Sequence, residues 1–262
     1  MDLGIRGRKA IVAGASAGMG KSSARALARE GVEIFLSARG EARLVVAADE
    51  IAAESGVKVT PIVADHSTVE GRARLLEACP EPDILVITCA PPVVTGDFRE
   101  ITVDHWNASA DTTLIGPIEL MRATIDGMAS RGFGRIVNIA TGAAKWPAGI
   151  RMLSGPTRSA LVNYTVAVSK AVAKHNVAIN NVLPGMFHTA TIAERFGAAA
   201  AANGTTYEEE TAKFVAEWRI PAGRFGDPDD LGDFVAMFCA RQANFVIGQS
   251  LVIDGGLVNA LF

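Results

Sequence analysis

Residues 13–20 read Ala13-Gly14-Ala15-Ser16-Ala17-Gly18-Met19-Gly20. An apolar run precedes this stretch at residues 10–13, and a run with helical periodicity follows it at residues 21–30. A buried strand, a glycine-rich turn and a helix in this order predict a diphosphate-binding site. Gly14 permits the tight turn, Gly18 lets the backbone approach the phosphates, and Gly20 lets the helix pack close to the strand. The free N–H groups and the dipole at the helix start then favour an anion, although a plain strand–helix turn is the alternative.

The composition excludes several classes of protein. The chain has 262 residues, of which 49% are hydrophobic, and this length fits one α/β domain or two small ones. A formal net charge of -3 at pH 7, with no basic cluster, gives no support for a nucleic-acid partner. Cys79, Cys89 and Cys239 are odd in number and widely separated, so we expect neither a disulfide framework nor a metal site.

The sequence also gives an expectation about the compartment. Residues 1–8 carry no apolar signal-peptide core. No run approaches the roughly 18 apolar residues that a membrane helix needs. We therefore expect a cytoplasmic protein without a membrane partner.

Strand-like and helix-like segments alternate along the rest of the chain. The strands predicted after the first cover residues 32–39, 58–64, 83–88, 134–139 and 177–183. The helices predicted after the first cover residues 41–55, 103–130 and 154–174, and Ser67-Thr68 can cap a further short helix. Gly116-Pro117 interrupts the longest helix and indicates a kink. The alternation predicts an α/β fold, with one parallel sheet covered by helices on both faces and no linker dividing the chain.

Four further segments extend the pattern of the glycine-rich turn. Asp65 follows the third strand, and residues 180–185, 224–230 and 248–256 read NNVLPG, RFGDPDD and GQSLVIDGG. With these features the chain resembles the short-chain dehydrogenase/reductase family from about residue 4 to residue 256. The resemblance implies one Rossmann-type, doubly wound NAD(P)-binding domain over residues 1–262, with a substrate lid at about residues 190–220. It also implies a homotetramer or homodimer built through the two long helices and the C-terminal strand, with the apolar residues 257–262 at an interface.

The end of the second strand bears on the choice of cofactor. Ala38 stands where NAD-selective members of the family carry an aspartate, and Arg39 follows it. A guanidinium can pair with a 2′-phosphate in a bidentate way, so the sequence favours NADP(H) over NAD(H). A solvated surface arginine is the alternative reading. Asp65 resembles the family residue that contacts adenine, with the backbone of His66 beside it, although Asp65 could instead cap the next helix.

The remaining cofactor contacts are implied by the resemblance. Thr189 fits the threonine that contacts the nicotinamide carboxamide, in a loop shaped by Pro184 and Gly185. The residues expected to contact the cofactor are Gly14, Ser16, Ala17, Gly18, Met19, Gly20, Arg39, Asp65, His66, Cys89, Ala90, Arg158, Pro184, Gly185, Phe187 and Thr189.

The catalytic half of the family pattern is replaced. Alignment back from residues 184–185 puts Ser154 at the general-acid tyrosine and Arg158 at the lysine four residues later. Thr141 falls at the serine and Thr113 at the asparagine of the usual set. Thr141 keeps a hydroxyl that can donate to a carbonyl oxygen. Ser154 is a far poorer acid than a phenol, and Arg158 cannot relay a proton by losing one, so the usual tyrosine mechanism is excluded.

Other residues are candidates for the proton donor. His188 lies in the segment that resembles the nicotinamide-contacting loop, and an imidazole suits this role near pH 7. A solvent-exposed loop histidine is the alternative. Tyr207 lies in the lid segment and is a further candidate, whereas Tyr164 is expected to pack in the core.

The lid segment indicates the substrate class. Residues 191–219 predict one or two amphipathic helices that divide near Asn203-Gly204. Aromatic residues there, among them Phe196, Phe214 and Trp218, could line a substrate pocket that Trp146 and Met152 close, or they could be ordinary core. An apolar lining favours an apolar or ring-bearing carbonyl compound over a sugar phosphate.

Three functions remain open from the sequence. The first is an NADP(H)-dependent oxidoreductase acting on a carbonyl or secondary alcohol of a small molecule, with Thr141, Ser154, Arg158 and water or His188 in the proton-transfer arrangement. The second is a dinucleotide-binding protein without redox turnover, such as a sensor or an inactive partner. The third is a non-redox lyase or isomerase that uses Arg158 to hold an anion.

Overall fold

Segments rich in apolar residues form seven strands of one parallel sheet in the described part of the chain. The computed structural model describes residues 1–90 and 92–258. The strands are β1 Lys9–Ala13, β2 Glu33–Ala38, β3 Val59–Val63, β4 Ile84–Thr88, β5 Gly134–Ile139, β6 Val177–Pro184 and β7 Ser250–Ile253. Their order in the sheet is β3-β2-β1-β4-β5-β6-β7, and every pair is parallel. The structure confirms the predicted α/β fold.

Nine α-helices connect or flank these strands in the described part of the chain. They are α1 Gly18–Arg29, α2 Glu41–Ser55, α3 Val69–Ala78, α4 Val103–Ala110, α5 Gly116–Ser130, α6 Ser154–Val172, α7 Ala190–Asn203, α8 Tyr207–Glu217 and α9 Pro228–Cys239. One hydrophobic core lies on the face covered by α1, α2 and α9, and a second lies on the face covered by α5 and α6. No described helix has the length and apolar character needed to span a membrane.

The strand order places a crevice beside the glycine-rich turn. From β1 the chain moves outward to β2 and β3, and it then returns to place β4 on the other side of β1. The loops that follow β1 and β4 therefore diverge in opposite directions at the carboxyl edge of the sheet. In open α/β sheets this switch point is where ligands bind.

The helix predicted over residues 103–130 contains a π-helical turn, Asp111–Ile115, between α4 and α5. The N–H of Gly116 donates to the carbonyl of Asp111, five residues earlier. The next residue in this π register, Pro117, has no N–H to donate to Thr112. The predicted irregularity at Gly116-Pro117 is thus a π turn, and it leaves the Thr112 carbonyl free for side chains.

The segment of the predicted lid forms two helices that divide where the sequence indicated. α7 ends at Asn203, and Gly204 takes a left-handed conformation with φ +66°. Thr206 then caps α8 together with Glu209. Of the apolar ending that the sequence suggested as an interface, residues 259–262 lie outside the described residues.

Candidate active site

A cleft of about 450 Å³ opens at the carboxyl edge of the sheet. It is lined by the residues that the sequence assigned to the cofactor, namely Gly14, Ser16, Ala17, Gly18, Met19, Gly20, Arg39, Asp65, His66, Cys89, Ala90, Arg158, Pro184, Gly185, Phe187 and Thr189. Thr141 and Ser154 line the same cleft. The fold thus brings the candidate cofactor residues and three of the four candidate catalytic residues to one place.

The glycine-rich turn has space for backbone only. Gly14 has φ +73°, and a Cβ there would overlap the carbonyl oxygen of Thr88 at the end of β4. A Cβ on Gly20 would lie 2.6 Å from the carbonyl oxygen of Gly14. These glycines allow β1, β4 and the start of α1 to approach one another, as the sequence pattern implies.

No capping side chain accepts a hydrogen bond from the backbone N–H groups at the N-terminus of α1. Ala17 at the N-cap supplies no side-chain hydrogen bond, and the first turn holds no acidic residue. The first N–H groups of a helix need an acceptor, and the helix dipole favours that acceptor when it is an anion. The turn therefore fits the diphosphate of a dinucleotide.

The rim beside β2 carries the charges expected for the adenosine end of a dinucleotide. Arg39 and Arg43 are exposed and line the cleft, near Asp65. Burial alone would raise the pKa of Asp65, but hydrogen bonds from Ser67 and the nearby Arg39 hold it below its ordinary value. The Asp65 carboxylate accepts from the N–H and hydroxyl of Ser67 at 3.0 and 2.7 Å, whereas Thr68 caps α3.

The free carbonyl of Thr112 ties His66 and Cys89 together at the floor of the cleft. His66 Nε2 lies 3.1 Å from this oxygen, and Cys89 Sγ lies 3.1 Å from it. Burial lowers the pKa of His66, so the imidazole is neutral, with Nε2–H donating to Thr112. Burial also raises the pKa of the Cys89 thiol to about 11. Both side chains are therefore uncharged near pH 7.

Ser154 and Arg158 are coupled at the start of α6. Arg158 Nη1 donates to Ser154 Oγ at 2.5 Å, and Arg158 Nη2 donates to the carbonyl of Cys89 at 3.1 Å. Both residues are buried, with Arg158 only 4% exposed. Burial lowers the pKa of the Arg158 guanidinium, with a further contribution from Arg151, although arginine stays protonated in proteins. The pair thus holds a fixed positive charge against a hydroxyl.

Buried hydroxyl groups hold the start of α6 against the π turn. Thr113 Oγ1 donates to Thr157 Oγ1 at 2.6 Å, and Ser109 Oγ lies 3.3 Å from the same atom. Thr157 Oγ1 in turn donates to the carbonyl of Leu153 at 3.0 Å. Thr113 therefore ties the π turn to the helix that carries Ser154 and Arg158.

The loop after β6 closes over the glycine-rich turn. Phe187 is buried, pairs with Gly226 through a β-bridge, and occupies space where a Cβ on Gly226 would lie. A Cβ on Gly18 would lie 3.2 Å from the Thr189 methyl group. Thr189 also caps α7, since its hydroxyl accepts from the N–H of Ile192. The cleft is therefore bounded by α1 on one side and by this loop on the other.

His188 is not among the residues that line the cleft. Its side chain is exposed, and Nδ1 lies 2.8 Å from the hydroxyl of Tyr207. Its ring packs on Phe225, with centroids 5.3 Å apart. The structure therefore does not bring His188 or Tyr207 to Ser154 and Arg158.

The lid aromatics form a small core of their own. Phe196 and Phe214 are buried against Phe225 and Ile220, and they do not line the cleft. Of the two alternatives that the sequence left open, the structure favours ordinary core for Phe196 and Phe214, because α7 and α8 pack their apolar faces on each other. Trp146 and Met152 are likewise outside the lining.

Some lining residues were not anticipated from the sequence. They are Arg43, Thr112, Arg151, Met186 and Ile192. Arg43 lies four residues after Arg39, and Arg151 lies three residues before Ser154. Proximity in the sequence to these two predicted site residues is the signal that could have identified them.

Comparisons with known proteins agree with this geometry. A family model described as enoyl-(acyl carrier protein) reductase matches residues 14–258. The uncharacterized oxidoreductase YvaG of Bacillus subtilis is 27% identical over 100% of both chains. The 3-oxoacyl-(acyl-carrier-protein) reductase FabG of Aquifex aeolicus is 24% identical over 98% of this chain and 100% of its own length.

A solved structure is similar over the full length of the chain. The L-sorbose reductase from Gluconobacter frateurii, complexed with NADPH and L-sorbose, is 28% identical, covers 100% of both chains and superposes with a TM-score of 0.95. The family match over residues 14–258 agrees with the order of the strands in the sheet and with the position of the cleft. The chain belongs to the short-chain dehydrogenase/reductase family and is an oxidoreductase of that type.

Proposed function

We propose that the protein is an NADP(H)-dependent oxidoreductase that interconverts a carbonyl group and a secondary alcohol without a catalytic tyrosine. The observation that carries this proposal is the buried Ser154–Arg158 pair, which lies in the same cleft as the glycine-rich turn. The NADPH complex of the similar L-sorbose reductase supports the cofactor.

The residues present fit a phosphorylated dinucleotide. The start of α1 would hold the diphosphate, and Arg39 and Arg43 would hold the 2′-phosphate, with Asp65 at the adenine. Pro184, Gly185, Phe187 and Thr189 would hold the nicotinamide end, beside Arg158. When bound, the nicotinamide supplies or accepts the hydride.

Two hydroxyl groups and one cation would act on the substrate oxygen. The Ser154 oxygen accepts from Arg158, so its own proton remains available for the substrate. The Thr141 oxygen accepts from the N–H of Ala143, which likewise leaves its proton available. Arg158 would stabilise the negative charge that develops on the substrate oxygen, because a fixed charge in a buried site is worth far more than in water.

The proton that completes reduction would pass through Ser154, with solvent water behind it. Hydrogen bonding to a cation favours the ionised form of an acid, so Arg158 makes the Ser154 hydroxyl a better donor than a free alcohol. His188 was the other candidate, but its ring contacts Tyr207 and Phe225 instead. We therefore assign His188 no step in the reaction.

The substrate body would be apolar or ring-bearing. Met186 and Ile192 line the cleft next to Thr189, and both pack against the aromatic core of the lid. These side chains give an apolar wall on the side of the cleft that α7 covers. The segment at about residues 190–220 would thus act as the substrate lid.

The test is NADPH oxidation with a panel of aldehydes and ketones. We expect turnover with the wild-type protein and a fall in kcat of about 10²- to 10⁴-fold in Ser154→Ala, the usual range for a lost acid–base group. Ser159→Ala, five residues later on α6 and outside the cleft lining, is the matched control. His188→Gln should leave kcat within about threefold of wild type. Tight NADPH binding without turnover on any carbonyl would favour the dinucleotide-binding protein without redox activity.

A further inference from the structure

The cleft is basic, although the chain as a whole is acidic. Its described lining includes four arginines, Arg39, Arg43, Arg151 and Arg158, against one carboxylate, Asp65. The chain has 25 lysines and arginines and 28 aspartates and glutamates, so this excess is local to the cleft. A cleft lined by one sign of charge attracts ligands of the opposite sign.

A dinucleotide accounts for only part of this charge. Arg39 and Arg43 lie at the rim that would take the 2′-phosphate, next to Asp65. Arg158 contacts Ser154 and would face the substrate oxygen and the nicotinamide ribose. The backbone N–H groups at the start of α1 would hold the diphosphate. Arg151 remains without a role in the binding of the cofactor.

The positive charge of Arg151 has no anion beside it among the described residues. Burial lowers the pKa of its guanidinium, and the neighbouring Arg195 lowers it further. Arg151 in turn lowers the pKa of Arg158, so the two cations repel each other. Within residues 1–90 and 92–258, no carboxylate forms an ion pair with either of them. Holding the half-buried Arg151 and the buried Arg158 close together costs free energy that a bound anion would offset.

The N-terminus of α6 adds to the positive electrostatic potential of Arg151 and Arg158. Its N-cap, Leu153, supplies no side-chain hydrogen bond, and its first turn holds no acidic residue. Arg151 lies two residues before the N-cap, and Ser154 is the first residue of the helix. The positive end of the helix dipole and the two guanidinium groups therefore act on the same part of the cleft.

We propose that Arg151 binds a carboxylate on the substrate, so that the protein acts on oxo acids in preference to neutral carbonyl compounds. This rests on the proposed function, because it places the carboxylate beside the carbonyl group that Ser154 and Arg158 act on. A carboxylate is the planar monoanion that a guanidinium binds through two parallel hydrogen bonds. The apolar wall of Met186 and Ile192 would then contact the rest of the substrate.

The kinetic test uses matched pairs of an acid and its methyl ester. Benzoylformate, levulinate and para-acetylbenzoate separate the carbonyl from the carboxylate by increasing distances, and each is compared with its ester by NADPH oxidation. We expect kcat/KM for at least one acid to exceed that of its ester by about 10- to 100-fold, the factor for a charge-assisted hydrogen bond. Arg151→Gln should remove this ratio, and Arg151→Lys should restore part of it. Arg195→Gln, a neighbouring exposed charge outside the lining, should leave the ratio within about threefold of wild type.

A binding measurement separates this proposal from the proposed function. Calorimetry on the NADPH-saturated protein compares benzoate with benzamide, and we expect at least about tenfold tighter binding of benzoate that Arg151→Gln abolishes. Equal kcat/KM for acids and esters in all three pairs would overturn the proposal while leaving carbonyl reduction intact. A preference for dihydroxyacetone phosphate over dihydroxyacetone, with none for any acid, would also overturn it. Benzoate binding without any turnover would support the anion site and count against the redox function.

Discussion

At the scale of single residues, we propose that Arg39 sets the choice of cofactor and that Ser154 donates the proton. The role that we propose for Arg39 rests on its place at the cleft rim, directly after the end of β2. The role that we propose for Ser154 rests on its contact with Arg158, since an isolated serine hydroxyl would be a poor acid. Sequence position marks both residues as candidates, but only the fold shows that the Arg158 guanidinium reaches the Ser154 oxygen.

Arg39 should control cofactor choice. We expect Arg39→Ala to weaken NADPH binding by about 10- to 100-fold, because a charge-assisted contact with the 2′-phosphate is lost. NADH binding should change by less than about threefold, since NADH has no 2′-phosphate. The measurement is fluorescence titration with both cofactors, and Arg74→Ala on the exposed side of α3 is the control. An equal loss for NADPH and NADH would contradict this role.

At the scale of elements, the strand–turn–helix at the start of the chain was predictable because its signals are local. Its glycines stand where backbone segments pack closely, and an apolar run and a helical run flank them. This pattern can be recognised without knowing which distant residues contact the unit. The π turn at Asp111–Ile115 was only partly predictable. Pro117 indicates an irregular helix, but the free Thr112 carbonyl depends on His66 and Cys89 from other loops for its hydrogen bonds.

The cleft should tolerate a methyl group at one of its lining glycines and not at another. In Gly20→Ala the new Cβ would lie 2.6 Å from the Gly14 carbonyl oxygen, so we expect a loss of about 1–3 kcal/mol in the free energy of unfolding. NADPH binding should weaken by at least about tenfold, because the first turn of α1 must shift. Gly40→Ala is the matched control, since Gly40 also lines the cleft and a Cβ there would meet no heavy atom within 4 Å. Equal effects of the two changes on unfolding and on NADPH affinity would argue against a close-packed cradle.

For the molecule as a whole, the sequence predicted the layers and the place of the cleft but not the charge balance inside it. Alternating strands and helices require a parallel sheet with helices on both faces, and its switch point follows from the strand order. Arg151 could not be assigned in this way. Its place in the cleft depends on the path of the irregular segment before α6, which carries no periodic pattern.

The buried thiol of Cys239 should make stability depend on alkaline pH. Burial raises its pKa from 9.0 to about 12 in the folded protein. The unfolded chain therefore loses this proton first, and the free energy of unfolding falls as pH rises above about 9. At one pH unit above that value, this thiol should account for about 1.4 kcal/mol of the loss. Chemical denaturation of wild type and Cys239→Ala at neutral and alkaline pH measures the difference, and parallel pH profiles would contradict the assignment.

We propose that hydride transfer takes place in a cleft where Ser154 and Arg158 act in place of a tyrosine and a lysine. The most direct measurement is single-turnover reduction with NADPH that carries deuterium on the transferred position of the nicotinamide, followed by mass spectrometry of the alcohol. We predict one deuterium on the carbinol carbon in the wild-type product, and product formation slowed by about 10²- to 10⁴-fold in Ser154→Ala. An unlabelled alcohol, or no alcohol from any carbonyl compound while NADPH is bound, would contradict it.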